Sequence, residues 1–259
     1  MLRTVHTVTV AYILLLVAAG LLGGAVNAVA GGGSLIVFPA LLATGFGTVA
    51  ANVTNSVAQW PGYLGSVLGF GKELAGQRGR LLALSLSAIL GAAAGCVLLL
   101  TTPAAAFDAI VPLLVLLASL LLAVQPLIAK VVAPPAEDSS AGKRIPLHLA
   151  IFVACIYGGY FGGALGVVLI GVLALTVNDS LRRLNALKSA LSLVVATVTV
   201  IAFGIFGPVD WLAVAVIAPS TLVGGFIGAK VARRLNDTVL RWCVVIFGVG
   251  VAAYLFFTG

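Results

Sequence analysis

The sequence predicts an all-α integral membrane protein, a polytopic helical bundle with two inverted structural repeats and broken or re-entrant first helices. Three observations predict it. Of the 259 residues 62% are hydrophobic and 8% charged, a balance that would leave a water-soluble domain of this size with large exposed apolar patches. Apolar stretches near 8–43, 49–70, 81–101, 107–129, 146–177, 184–206, 211–232 and 238–257 mostly reach the roughly 20 residues that a bilayer core requires. Lipid admits them as helices, because an open strand edge would leave backbone groups unpaired. Finally, the chain matches itself without a gap at an offset of 133: Gly33 meets Gly166, Asn52 meets Asn185, Ser56 meets Ser189, Ser87 meets Ser220 and the Gly91/Gly95 pair meets Gly224/Gly228.

The duplication divides the chain into a first transmembrane repeat over 1–129, a cytoplasmic polar linker over 130–145 that contains APPAEDSSAGKR, and a second repeat over 146–259. Basic residues set the orientation. In the first repeat Lys72, Arg78 and Arg80 fall between the second and third segments, while 44–50 and 102–106 have no Lys or Arg. In the second the pattern is reversed, with Arg182, Arg183, Lys230, Arg233 and Arg234 at the counterparts of the empty stretches and none in GPVDW at 207–211. If positive loops are cytoplasmic, the halves lie in opposite orientations, as in many secondary transporters.

Inversion needs an odd number of crossings per repeat. The first segment resolves this, because Gly23-Gly24 and Gly31-Gly32-Gly33 break 8–43, and Gly158-Gly159 and Gly162-Gly163 break its counterpart. Each predicts two short helices meeting at a glycine break, five elements per half and both termini outside. Met1–Arg3, an apolar run and Ala28-Val29-Ala30 resemble a signal peptide. The run is too long for a signal core and contiguous with the glycine motif, so it is expected to stay in the mature protein.

In the second segment Trp60-Pro61 predicts a kink, since proline removes a backbone donor. Asp108 and Asp237 are expected at helix starts, where a carboxylate complements the dipole. Trp211 and Trp242 fit interfacial anchors. Cys96, Cys155 and Cys243 lie far apart in apolar runs and predict neither a disulfide framework nor a metal site. The net charge of +7 comes from short clusters between apolar segments, which are topology signals and not a nucleic-acid face.

The candidate site residues fall in three groups. Gly31, Gly32, Gly33 and Ser34, with Pro39 shortly after, predict a break followed by a helix whose first-turn N–H groups favour an anion; close helix packing is the alternative use of such glycines. Asn52, Asn55, Ser56 and Gln59 in NVTNSVAQ recur at spacings of three and four and so share one helical face. A polar stripe in a span must face protein or water, as a substrate contact or an interhelical hydrogen bond. The matched stripe in LRRLNALKSALS holds Asn185, Lys188 and Ser189, with Lys188 at the position of Asn55. Its stem could snorkel to the cytoplasmic interface; sharing a stripe with Asn185 and Ser189 favours instead a cavity-facing cation.

Acids are missing from the spans. Glu73, Asp108, Glu137, Asp138, Asp179, Asp210 and Asp237 lie at segment ends or in linkers, and His6 and His148 near segment starts. This disfavours a proton-coupled cation pump and a membrane enzyme using paired carboxylates or a metal centre. No cofactor is expected.

GGGSLIVFP at 31–39 followed by NVTNS, and RRLNALKSALS followed by GGFIGAKVARRL, resemble the TauE/SafE sulfite exporter family of membrane permeases over nearly the whole chain. The resemblance implies transport of sulfite, sulfonates or related small organic or sulfur-containing anions, with Gly31 to Ser34 and Asn52 to Ser56 in one motif and Asn185, Lys188 and Ser189 in the other. At 160–172, YFGGALGVVLIGV lacks the tight glycine run and the proline often found there, so the second break is expected to be weaker.

The expectation is a multi-pass permease of the cell (cytoplasmic, inner) membrane that moves a small anion by alternating access, with membrane lipid as its surroundings and no nucleic-acid partner. Monomer and homodimer both stay open. A permease or channel for a cation or neutral metabolite, and a non-transporting membrane scaffold or accessory subunit, are the rival readings.

Overall fold

The computed structural model describes residues 10–131, 144–231 and 237–258; most of the predicted linker, the first nine residues with His6, and Arg233 and Arg234 lie outside them. Every element among the described residues is a helix: α1 (Val10–Val29), α2 (Ser34–Ala43), α3 (Thr48–Ala58), α4 (Trp60–Gly69), α5 (Gly71–Leu74), α6 (Arg78–Thr101), α7 (Ala104–Val131), α8 (Arg144–Tyr160), α9 (Leu165–Thr176), α10 (Leu181–Phe206), α11 (Trp211–Val231) and α12 (Asp237–Thr258). Five of them, α1, α6, α7, α10 and α11, are long and apolar enough to cross a membrane. At about 1.5 Å per residue the 24 residues of α6 cover the roughly 30 Å of a bilayer core. Helices α3 and α4 follow one another with only Gln59 between them, and Pro61 is the second residue of α4.

Both first segments are broken. Helix α1 ends at Val29 and α2 begins at Ser34, with Gly31 between them at φ +86°. That left-handed conformation suits glycine, and it lets α2 double back along α1. Gly33 then lies against the Gly23 carbonyl, and the Val37 side chain abuts Gly23. The second break, between Tyr160 and Leu165, is as complete as the first, with Gly162 at φ +74°. The expected weakness is therefore corrected: one left-handed glycine suffices to reverse the chain, and neither a glycine run nor a proline is needed. The first break packs against the start of α9, where a Cβ on Gly31 would come 2.6 Å from the Gly166 backbone.

The sequence offset reappears in the elements, since α3, α6 and α7 begin at 48, 78 and 104 and α10, α11 and α12 at 181, 211 and 237. The halves interlock. Gly91 and Gly95 of α6 press on the α8 carbonyls of Phe152 and Ile156, while Gly224 and Gly228 of α11 press on α1 at Leu21 and Ala25. Small residues allow this close approach where lipid supplies no hydrophobic drive between helices. Leu82, Leu86 and Leu90, each more than half exposed, recur every four residues along α6 and form a face suited to lipid.

Two clusters mark the ends of the bundle. At one, Arg80 reaches Asp179 at 2.6 Å, Arg183 reaches the same carboxylate at 3.0 Å, and Arg183 and Gln77 bond across the gap, the former to the Ala75 carbonyl and the latter to the Arg183 carbonyl. Helix α10 thus begins beside the turn that closes α4 and α5. Desolvation works to raise the Asp179 carboxyl, but hydrogen bonds from Arg80 and Arg183 outweigh it and hold it below its ordinary value. At the other end Thr48 donates to Asp108. Asp108 follows the first turn of α7 and serves as this acceptor, which corrects its reading as a helix-start residue, whereas Asp237 does open α12. Trp211 and Trp242 are about half exposed, and the three cysteines are free thiols, with Cys96 and Cys155 buried.

Candidate substrate cavity

A cavity of about 290 Å³, its mouth included, opens between the α3–α4 span, α10 and the α8–α9 break. Most of that space is the open mouth, and the enclosed room, about 20 Å³, holds roughly one water-sized group. Its polar wall is Ser34 from the start of α2, Ser56 and Gln59 from α3 and its end, Tyr63 from α4, and Ser192 and Thr199 from α10. Gly158 and Gly162 complete it at the second break without side-chain bulk. None of the lining residues carries a charge. Ser192 is 1% exposed and its Oγ has no protein partner among the described residues, so a polar atom that needs a partner faces this space. Hydroxyls can donate or accept as the occupant demands.

Behind the wall lies a hydrogen-bonded hub at Asn27, which is 2% exposed. The Gly33 N–H donates to Asn27 Oδ1 at 2.7 Å, and Asn27 Nδ2 donates to Gln59 Oε1 at 3.0 Å. Gln59 Nε2 in turn lies 3.5 Å from Asn55 Oδ1. One asparagine therefore fixes both the turn into α2 and the amide that lines the cavity.

Lys188 does not snorkel to an interface, and it is not among the lining of this cavity. It is 1% exposed, and its Nζ donates to the carbonyl oxygens of Asn27 and Ala28, each at 3.2 Å. These carbonyls belong to the last turn of α1, where intrahelical partners run out and the dipole is negative; the ammonium caps the broken helix. The other half does the same with a neutral group, because Asn52 Nδ2 donates to the Tyr160 carbonyl at 2.9 Å. Tyr160 ends α8 and occupies the repeat position of Asn27.

The sequence-predicted residues thus divide. Ser34, Ser56 and Gln59 line the cavity, whereas Asn52, Asn55, Asn185, Lys188, Ser189 and the Gly31–Gly33 turn are not among its lining. Ser56 and Ser189 bond the carbonyls of Asn52 and Asn185 one turn earlier in their helices, and Asn52 Oδ1 and Asn185 Oδ1 are buried without a protein partner among the described residues. The row of open N–H donors expected after Gly33 is largely closed: Leu35 bonds the Gly32 carbonyl, Ile36 and Val37 bond that of Gly33, and Gly33 itself bonds Asn27. A tight first turn consumes these donors, which glycine spacing alone does not reveal.

Sequence reasoning missed Asn27, Tyr63, Ser192 and Thr199. Ser192 was within reach, since it stands at the repeat position of Gln59. Asn27 was hidden because its own repeat position holds tyrosine.

Broken helices paired about a small cavity, inside a bundle of apolar helices, give a multi-pass membrane protein with the build of a transporter. The model of the sulfite exporter TauE/SafE family matches residues 16–255, and the chain belongs to that family. It is 25% identical over 231 residues to a probable membrane transporter protein of Haemophilus influenzae, covering 88% of each chain. No solved structure matches the chain.

Proposed function

We propose that the protein carries a small anion, such as sulfite, a sulfonate or a small organic acid, across the cytoplasmic membrane by alternating access between two inverted halves. The observation that carries this reading is the cavity itself. Ser34, Ser56, Gln59, Tyr63, Ser192 and Thr199 contribute hydroxyl- and amide-bearing residues to its lining, with no carboxylate there to repel an anion, and the Lys188 ammonium sits behind Gln59 and Asn27 as the nearby source of positive potential. Inversion is supported by the ends of the bundle: the α3–α4 span closes where α10 begins, at the Arg80, Asp179 and Arg183 cluster. Three long spans and one folded-back pair per half then give the odd crossing count that inversion needs.

The uncharged lining also favours a second reading, in which side-chain oxygens solvate a cation or a neutral metabolite. Competition separates the two. Labelled sulfite uptake into proteoliposomes is expected to be inhibited by unlabelled sulfonates and small carboxylates, and to be untouched by equimolar inorganic cations or neutral amides. Uptake of labelled cation or neutral solute without competition by any anion would overturn the anion reading in favour of the second.

A further inference from the structure

We propose that Lys188 is the proton-carrying group of the transport cycle, its ammonium forming and discharging together with binding and release of the anion. This rests on the anion-transport reading above. Among the described residues, Lys188 is the one charged side chain in the buried interior. Its ammonium sits against two backbone oxygens, Asn27 O and Ala28 O, at the end of a broken helix. Carbonyls at half-helix C-termini are the groups with which transporters of this general build coordinate a free coupling cation. Here a tethered cation occupies that seat.

Lysine differs from a metal ion and from arginine in that it can give up its charge where it stands. The ammonium loses one proton to water on the receiving side, and the neutral amine keeps two N–H donors while its attraction for the α1 carbonyls weakens. Among the described residues, α1, α3 and α9, which pack on α10, bring no acid or base apart from Tyr12 near the start of α1. Helix α4 brings the Tyr63 phenol, α5 brings Lys72 and Glu73, and α6 brings Arg78 and Arg80 at its first turn and the Cys96 thiol. Helix α8 brings His148, whose ring is bonded to Ser87, with Cys155, Tyr157 and Tyr160. On α10 itself Arg182 and Arg183 lie in the first turn, and Asp179 just before it is bonded by Arg183. The recorded partners of the Lys188 ammonium are the two carbonyls.

The link to the cavity is short. Asn27 accepts from Lys188 with its carbonyl and holds Gly33 and Gln59 with its side chain, and Ser192 on the cavity wall is one turn along α10 from Lys188. An anion in that wall is attracted by the ammonium through a poorly screened interior. Proton and anion therefore bind cooperatively, and by reciprocity the loss of either weakens the other. One monovalent anion with one proton on Lys188 moves no net charge, so the two travel in the same direction.

The test uses the full-length protein in liposomes, with the anion of the panel that wild type exchanges. Lys188→Arg keeps the charge and cannot release a proton; it is expected to retain labelled-anion exchange within about threefold while net uptake falls at least about tenfold, because only net uptake requires the empty, deprotonated carrier to return. With a permanently ionised sulfonate, wild-type uptake should acidify a pH dye trapped in the lumen, and Lys188→Gln should not. For sulfite, which carries protons of its own, the split between exchange and net uptake decides. Wild-type sulfonate uptake without acidification, net uptake by Lys188→Arg at the wild-type rate, or acidification by Lys188→Gln equal to wild type would each overturn the proposal. Should the arginine variant fail to fold, the glutamine variant alone decides by the same readout. Absence of any anion exchange by wild type is a different result, which removes the transport reading itself.

Discussion

Asn27→Leu should lower transport at least about tenfold while leaving a folded protein. Leucine matches asparagine in bulk but returns neither of its side-chain hydrogen bonds, so the Gly33 N–H and the Gln59 carbonyl oxygen are left buried and unpaired. Each such group costs about 1–3 kcal/mol, and about 1.4 kcal/mol is a factor of ten in an equilibrium. Part of that cost falls on stability. The rest falls on the cavity, because Gln59 is then free to turn its amide away from the wall. The Asn27 backbone carbonyl survives the substitution, so Lys188 keeps its acceptor. Uptake per reconstituted protein, with elution volume on gel filtration as the folding control, measures the effect; wild-type uptake would show that the hub does not position the site. Combining it with Gln59→Leu should cost less than the sum of the single losses, since the pair shares a bond.

Gly33→Val should cost more, with no monodisperse protein recovered. A Cβ at Gly33 would fall inside the van der Waals envelope of the Gly23 carbonyl and lie 2.7 Å from Asn27 Cγ, and backbone atoms there cannot move aside without undocking α2 from α1. Overpacking in a well-packed interior typically costs about 1–3 kcal/mol, and a clash with the Gly23 backbone and the Asn27 side chain together belongs at or beyond the upper end. Gly47→Ala is the matched control, because nothing lies within 4 Å of its Cβ position. Fluorescence-detected gel filtration of detergent extracts should show a symmetrical peak for Gly47→Ala and aggregate or no peak for Gly33→Val. A normal peak for both would mean that α2 does not fold back against α1 as described.

Much of the fold was legible because the bilayer imposes simple rules. Length and hydrophobicity give spans, glycine runs give breaks, and repeated Asn and Ser at one offset give the duplication; the matching starts at 48 and 181, 78 and 211, and 104 and 237 follow from the last of these. The Gly91/Gly95 and Gly224/Gly228 pairs were visible as matched motifs, but that each grips the first helix of the other half is a tertiary fact with no sequence signature. The second break was underrated because glycine number was read in place of glycine conformation; Gly162 alone supplies the positive φ.

The site was legible in part for a related reason. Helical spacing places Asn52, Asn55, Ser56 and Gln59 on one face but does not say which of them reaches open space and which reaches a neighbouring carbonyl. Lys188 shows the limit most plainly. Its depth in α10 was readable, while its partner, the frayed end of α1, is 160 residues away in the chain. The sequence could offer an interface or a cavity for that ammonium, and the fold supplied a helix terminus.

The proposed route for a small anion runs through the space between α3, α10 and the second break. Ser192→Phe tests it most directly, since Ser192 sits on the wall with an unpartnered hydroxyl and a phenyl ring would occupy the space the anion needs. Initial rates of labelled sulfite or sulfonate uptake should be compared at equal amounts of reconstituted protein, both forms eluting alike on gel filtration. A rate for Ser192→Phe at or below about a tenth of wild type is the predicted result. Equal rates would place the route elsewhere and contradict the account.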